Sequence, residues 1–217
     1  MAASDDPHAD QPILTAGADP ADADVAVVLV HGRGATARGM LGFADEFGKD
    51  RIHYVAPQAQ RGTWYPNSFM APVESNQPHY ESALARVDRA VAQARETTGL
   101  PSERIVLTGF SQGACLLSSY VATHPTRYGG LVLLSGGFVG EEGTDFRFDG
   151  SLDGTPVMLG VSDDDPHIPL SRAEETVEEL ERMGAEVRFD VYEGSEHRVF
   201  PEEVEYARDL LGSLLSE

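Results

Sequence analysis

The sequence predicts an α/β fold, a mainly parallel central sheet with helices on both faces, and three observations predict it. Continuous apolar runs such as Val25–Val30 have strand length and no polar alternation, as strands covered on both faces do. Segments between these runs carry apolar residues at helical spacing. The two kinds alternate along the whole chain, which requires crossover connections and therefore parallel strands. With 217 residues and 41% hydrophobic content, one globular domain with a sizeable core is expected.

In chain order, residues 1–12 are rich in Asp, Ala and Pro and are expected to form a disordered acidic tail, leaving 13–217 as the domain. Ile13-Leu14-Thr15 reads as a short edge strand and 25–31 as an interior one, ending at Gly32-Arg33-Gly34. Thr36 is placed to cap a helix over about 37–48. A strand over 52–56 follows, then a long connection over 57–78 containing Trp64-Tyr65-Pro66-Asn67-Ser68-Phe69-Met70. Irregular connections of that length in a compact domain are uncommon and often functional, so Trp64, Tyr65, Phe69 and Met70 are candidate substrate-pocket residues. A helix over 79–98 ends at Gly99 and Pro101. Beyond it the chain reads strand 104–110, helix to about 123, strand 131–134, a Gly- and acid-rich loop to 154, strand 156–161, helix 170–183, strand 186–192 and helix 201–215.

The organising stretch is Gly109-Phe110-Ser111-Gln112-Gly113, which joins an apolar strand directly to a helix. A serine at such a turn projects its hydroxyl from the sheet edge, while the flanking glycines leave room for tight strand–helix packing. The free N–H groups of the new helix face any anion that develops there. A serine hydroxyl needs a base to become a nucleophile, and the base needs an orienting carboxylate. Among seven histidines, His197 is best placed, in Glu193-Gly194-Ser195-Glu196-His197 between the last strand and the last helix. His31 reads as a structural residue and His8 as part of the mobile tail. The carboxylate falls in Asp163-Asp164-Asp165-Pro166, where spacing alone leaves Asp165 and Asp163 open; Pro166 restricts Asp165 to extended geometry and favours it. Three adjacent aspartates do not form a calcium loop, so neither a metal nor a cofactor is expected. The oxyanion donors are expected to be the backbone N–H groups of Gln112 and Arg33. The Arg33 guanidinium is expected to pair with surface carboxylates, the alternative being contact with an anionic group of the substrate.

Charge is the outlier of the composition. Thirty-six acidic residues stand against sixteen basic ones, of which only Lys49 is a lysine, giving a net charge of −20. Repulsion excludes nucleic acid and anionic membranes as partners. The excess reads as adaptation to high salt, the alternative being a plain solvated acidic surface. Cys115 is the sole cysteine, so no intrachain disulfide forms, and it reads as a small buried hydrophobe. The first twelve residues have no basic n-region or apolar core, and no apolar run has membrane-spanning length. A cytoplasmic protein, monomeric or homodimeric, with a small-molecule substrate is the expectation.

His31-Gly32-x-Gly34, Ala56-Pro57, Gly109-Phe110-Ser111-Gln112-Gly113, Asp165-Pro166-His167-Ile168-Pro169 and Gly194-x-x-His197 together resemble the phospholipase/carboxylesterase family, the small lidless serine esterases of the α/β-hydrolase fold that include acyl-protein thioesterases. The resemblance covers roughly residues 12–215. It implies a triad of Ser111, Asp165 and His197, prefers Asp165 over Asp163, and implies hydrolysis of carboxylic esters with short-to-medium acyl chains. Lysophospholipase or acyl-thioesterase activity is the alternative with the same triad, ahead of a non-catalytic ligand-binding member of the fold. Arg33 stands where thioesterase-like members often carry leucine.

Overall fold

The computed structural model describes residues 6–48 and 50–216. Seven strands form one sheet: β1 (Ile13–Gly17), β2 (Val25–Val30), β3 (Ile52–Pro57), β4 (Ile105–Phe110), β5 (Gly130–Leu134), β6 (Pro156–Ser162) and β7 (Glu186–Tyr192), in the spatial order β1-β3-β2-β4-β5-β6-β7. Only β1 runs antiparallel, against β3; every other pairing is parallel. Among the described residues five α-helices accompany them: α1 (Ala37–Phe43), α2 (His79–Thr98), α3 (Gln112–Thr123), α4 (Leu170–Arg182) and α5 (Pro201–Ser216), the last following β7.

The unbroken apolar run of β2 serves two cores at once. Ala26, Val28 and Val30 face α2 and α3, whereas Val25, Val27 and Leu29 face α1 and α5. That is the period-two pleat of a strand sandwiched between helix layers. Thr36 caps α1 by accepting the N–H of Gly39, but the α-helix stops at Phe43 and continues only as a 3-10 turn over 44–46, shorter than the expected 37–48. Gly99 closes α2 at φ 73°, the left-handed conformation expected of a C-terminal glycine. No described helix is long and apolar enough to cross a membrane.

The expected tail is corrected for residues 6–12; residues 1–5 lie outside the described residues. His8 is fully buried, its main-chain N–H donating to Ser82 Oγ at 2.9 Å. Its ring donates from Nε2 to the Trp64 carbonyl at 2.8 Å and accepts the Gln60 N–H on Nδ1 at 2.9 Å. Asp6 pairs with Arg89, and Arg86 donates to the Gln11 carbonyl. Asp-, Ala- and Pro-rich composition hid this strap because one aromatic ring, not a hydrophobic pattern, anchors it. Burial holds the His8 ring below the ordinary histidine range, so it stays neutral as both bonds require.

Candidate active site

Parallel strands end together, and the loops at their C-terminal ends bring distant residues to one rim. Ser111 follows β4 with φ 53° and ψ −120°, a strained conformation for a residue with a side chain. Two glycines make the turn possible. A Cβ on Gly109 would lie 2.7 Å from the Gly113 backbone, and one on Gly113 would lie 2.2 Å from the Val30 carbonyl oxygen. Strand and helix therefore pack backbone to backbone, and the serine is pushed outward.

His197 donates from Nδ1 to Asp165 Oδ2 at 2.8 Å, and its Nε2 accepts from Ser111 Oγ at 2.8 Å. The Asp165 side chain has no solvent exposure and that of His197 only 15%, so water competes little for the bond between them. Asp165 Oδ1 accepts the backbone N–H groups of His167 and Ile168 at 2.8 and 3.0 Å, which leaves Oδ2 aimed at the ring. Asp163 points elsewhere: its Oδ1 accepts the Gly194 N–H at 2.8 Å. The neighbouring aspartates thus divide two tasks, one orienting His197 and one pinning the loop that carries it. Ser162 Oγ adds a 2.6 Å bond to the Glu196 carbonyl, and the Asp164 N–H donates to the Gly194 carbonyl at 3.1 Å. The loops after β6 and β7 are laced together before either reaches the serine.

A cavity of about 540 Å³ opens beside Ser111 and His197. Gly32 and Arg33, residues 65–69, Gln112, and the pair His167 and Ile168 border it. Tyr65 and Phe69 are where the sequence places them. Trp64 and Met70 are not, and their expected substrate contact is corrected. The indole is fully buried, donates from Nε1 to the His31 carbonyl at 2.8 Å and stacks on the His31 ring, 4.8 Å between centroids. Its main-chain N–H donates to Gln112 Oε1 at 3.0 Å, while Gln112 Nε2 donates to the Tyr65 carbonyl at 2.8 Å. Trp64 therefore braces both segments that carry the two expected oxyanion donors. Met70 packs against the hydrophobic core. Among the described residues, the backbone N–H groups of Arg33 and Gln112 have no acceptor in the chain.

Residues with no expected place in the pocket also border the cavity. Phe110, immediately before Ser111, lies 5.1 Å from the His197 ring, and His167 lies 4.7 Å from it edge-on. Cys115 follows Ser111 by one helical turn, a spacing that puts both on one face of α3. Burial pushes its thiol up to about 12, so it is an inert wall rather than a competing nucleophile. The Arg33 guanidinium forms no carboxylate pair among the described residues, contrary to expectation; it donates to the Pro66 and Asn67 carbonyls at 3.0 and 2.7 Å.

The model of the phospholipase/carboxylesterase family matches residues 10–215, nearly the whole chain. The chain belongs to the phospholipase/carboxylesterase family. A crystal structure of a phospholipase/carboxylesterase from Dyadobacter fermentans is 40% identical, covers 94% of this chain and 96% of its own, and superposes with a TM-score of 0.87. Acyl-protein thioesterase 1 of Candida albicans is 29% identical over 86% of this chain and 90% of its own length. The carboxylesterase of Bacillus cereus, 19% identical with a TM-score of 0.71, shares the fold over 95% of both chains. This family member is an ester-cleaving hydrolase of the lidless α/β-hydrolase fold.

Behind the histidine loop of this family member lies a buried carboxyl with an unusual setting. Glu203 caps α5 by accepting the Phe200 N–H on Oε2 at 2.7 Å, while Oε1 has no partner among the described residues. The carboxyl rests on Gly160 of β6, where a Cβ would lie 2.0 Å from Oε1. Burial, reinforced by Asp190 and Glu202, pushes it up to about 7. Because the folded state resists ionising it, stability is full below the ordinary carboxylate pKa of 4.5 and is lost as pH rises through about 7. Glu203→Gln should therefore gain about 3 kcal/mol relative to the parent between pH 4.5 and 8. Urea unfolding of both proteins at the two pH values measures this, and parallel curves would refute it.

Proposed function

We propose that the chain hydrolyses carboxylic esters with short-to-medium acyl chains through an acyl-enzyme formed on Ser111. The continuous relay from Ser111 Oγ through His197 to Asp165, with both links at 2.8 Å, is the observation that carries this reading. Ser111 Oγ attacks the carbonyl carbon as its proton passes to His197 Nε2, and the carbonyl electron pair moves onto oxygen. The backbone N–H groups of Arg33 and Gln112 hold that oxyanion. Asp165 stabilises the imidazolium without taking its proton. Collapse of the tetrahedral adduct breaks the ester C–O bond, and the leaving alcohol receives the proton from Nε2. Water then attacks the acyl-serine with His197 as base, releasing the acid and restoring the serine.

The cavity volume of about 540 Å³ and the absence of a lid favour chains of modest length that enter from solvent. Thioester cleavage by the same relay is the second reading, supported by the relatives that carry the name acyl-protein thioesterase 1. Two measurements test the proposal. A fluorophosphonate should label one residue, Ser111, and butyrate esters should be cleaved faster than the matching thioesters. An unlabelled, inactive protein would overturn the mechanism; faster thioester cleavage would overturn only the substrate assignment.

A further inference from the structure

We propose that Arg33 selects esters that carry a second, negatively charged group, a carboxylate or a phosphate, at a point away from the scissile bond. The inference rests on the esterase reading above and concerns the substrate class of that same cavity.

Thirty-six acidic residues are spread over this chain, yet none of those among the described residues borders the cavity. Among the described residues, Arg33 is the one of fixed charge that does. Its guanidinium is not neutralised, because its acceptors are main-chain carbonyls of Pro66 and Asn67, which supply dipoles and no countercharge. Among the described residues it forms no ion pair, although the other well-placed arginines of the chain do, as with Arg172 and Glu175, Arg188 and Asp190, or Arg208 and Glu46. The two carbonyls also fix the plane of the fork, which lies 6.0 Å from the Tyr65 ring centroid. Two of the five N–H groups of an arginine are thereby used and three stay free for a ligand. A planar, pre-oriented guanidinium with free donors suits a carboxylate or phosphate and gives a neutral acyl chain nothing in return. The two histidines of the wall, His167 and His197, carry no negative charge in either protonation state. In a molecule whose overall charge repels anions, this arrangement, besides tying Arg33 to the 66–67 segment, favours an anion that has reached the mouth of the cavity.

The test measures kcat/KM on matched pairs in the purified full chain. Monoethyl glutarate is compared with ethyl pentanoate, which puts the charge on the acyl side as a carboxylate. Phosphoethyl butyrate is compared with ethyl butyrate, which puts it on the alcohol side as a phosphate. The parent should prefer the charged member of at least one pair, and the pair preferred identifies the source and side of the anion. In Arg33→Gln the charged-to-neutral ratio of that pair should fall by about ten-fold or more, with Arg33→Lys between the two. Because the main chain of residue 33 serves both members of a pair alike, the ratio isolates the side chain from any effect on the oxyanion. A parent that prefers neither charged ester overturns the inference whether or not the variants fold, as does a ratio unchanged in Arg33→Gln. Turnover of the neutral esters separates the two levels: if it is present without a charge preference, only the role of Arg33 falls, and if no ester is cleaved the esterase reading falls with it.

Discussion

Ser111→Ala should lower kcat on p-nitrophenyl butyrate by about four to six orders of magnitude, with the fold intact. The size follows from the loss of the covalent route as a whole. Without Oγ there is no acyl-enzyme, and the paired His197 and Asp165 have no nucleophile to activate except water held at random. The residual rate measures what the oxyanion donors and the cavity supply alone. Stability should change little, because among the described residues the hydroxyl makes one hydrogen bond, to His197 Nε2, whose ring edge borders the open cavity. Matched thermal unfolding of parent and variant establishes that the loss is chemical. If Ser111→Ala kept more than about 1% of the parental rate, the nucleophile would have to be another group.

Asp165→Asn is the second large effect, about three to four orders of magnitude in kcat with nearly unchanged shape. The carboxylate has only acceptors to offer and uses both oxygens: Oδ1 for the N–H groups of His167 and Ile168, Oδ2 for His197. An asparagine that keeps its oxygen toward the backbone presents its NH₂ to His197. The imidazole must then accept on Nδ1 and carry its proton on Nε2, where it can no longer accept one from Ser111. The flipped amide restores the imidazole tautomer but sets NH₂ against two backbone donors, which costs about 1–2 kcal/mol of stability. The first arrangement removes the base, and the second keeps it but lacks the negative charge that stabilises the imidazolium. The measurement is kcat/KM against pH: the variant should recover part of its rate as pH rises, where the residual reaction depends on hydroxide. A variant within ten-fold of the parent at pH 7 would remove Asp165 from the proposed mechanism.

Much of this was legible from residue order. The pentapeptide at 109–113 reads correctly because its chemistry is local: two backbone contacts of 2.7 and 2.2 Å exclude any Cβ at Gly109 and Gly113, whatever surrounds them. The strand expected over 25–31 is found over Val25–Val30, because six consecutive apolar residues have no solution other than burial on both faces. The long connection over 57–78 was harder. Its aromatic residues are alike in chemistry, so composition could not separate Trp64, which braces His31 and Gln112, from Tyr65, which borders the cavity. The strap at residues 6–12 was missed for a related reason, since its anchor is a single His8 whose partners lie 52 to 74 positions away.

By itself, then, the sequence determined the alternation of strands and helices, the strained turn at Ser111, and the fact that His197 and an aspartate of the 163–165 run leave strands at the same edge. Those features depend on periodicity and on steric exclusion between neighbours, and both are written locally. Tertiary structure alone decided that Asp163 pins the loop of His197, what Trp64 supports, and that Arg33 stands uncompensated at the cavity. Each of these depends on the direction of one side chain relative to a segment distant in the chain. Direction is set by hydrogen bonds across loops, such as Asp163 to Gly194 and Arg33 to Asn67, which no local pattern encodes.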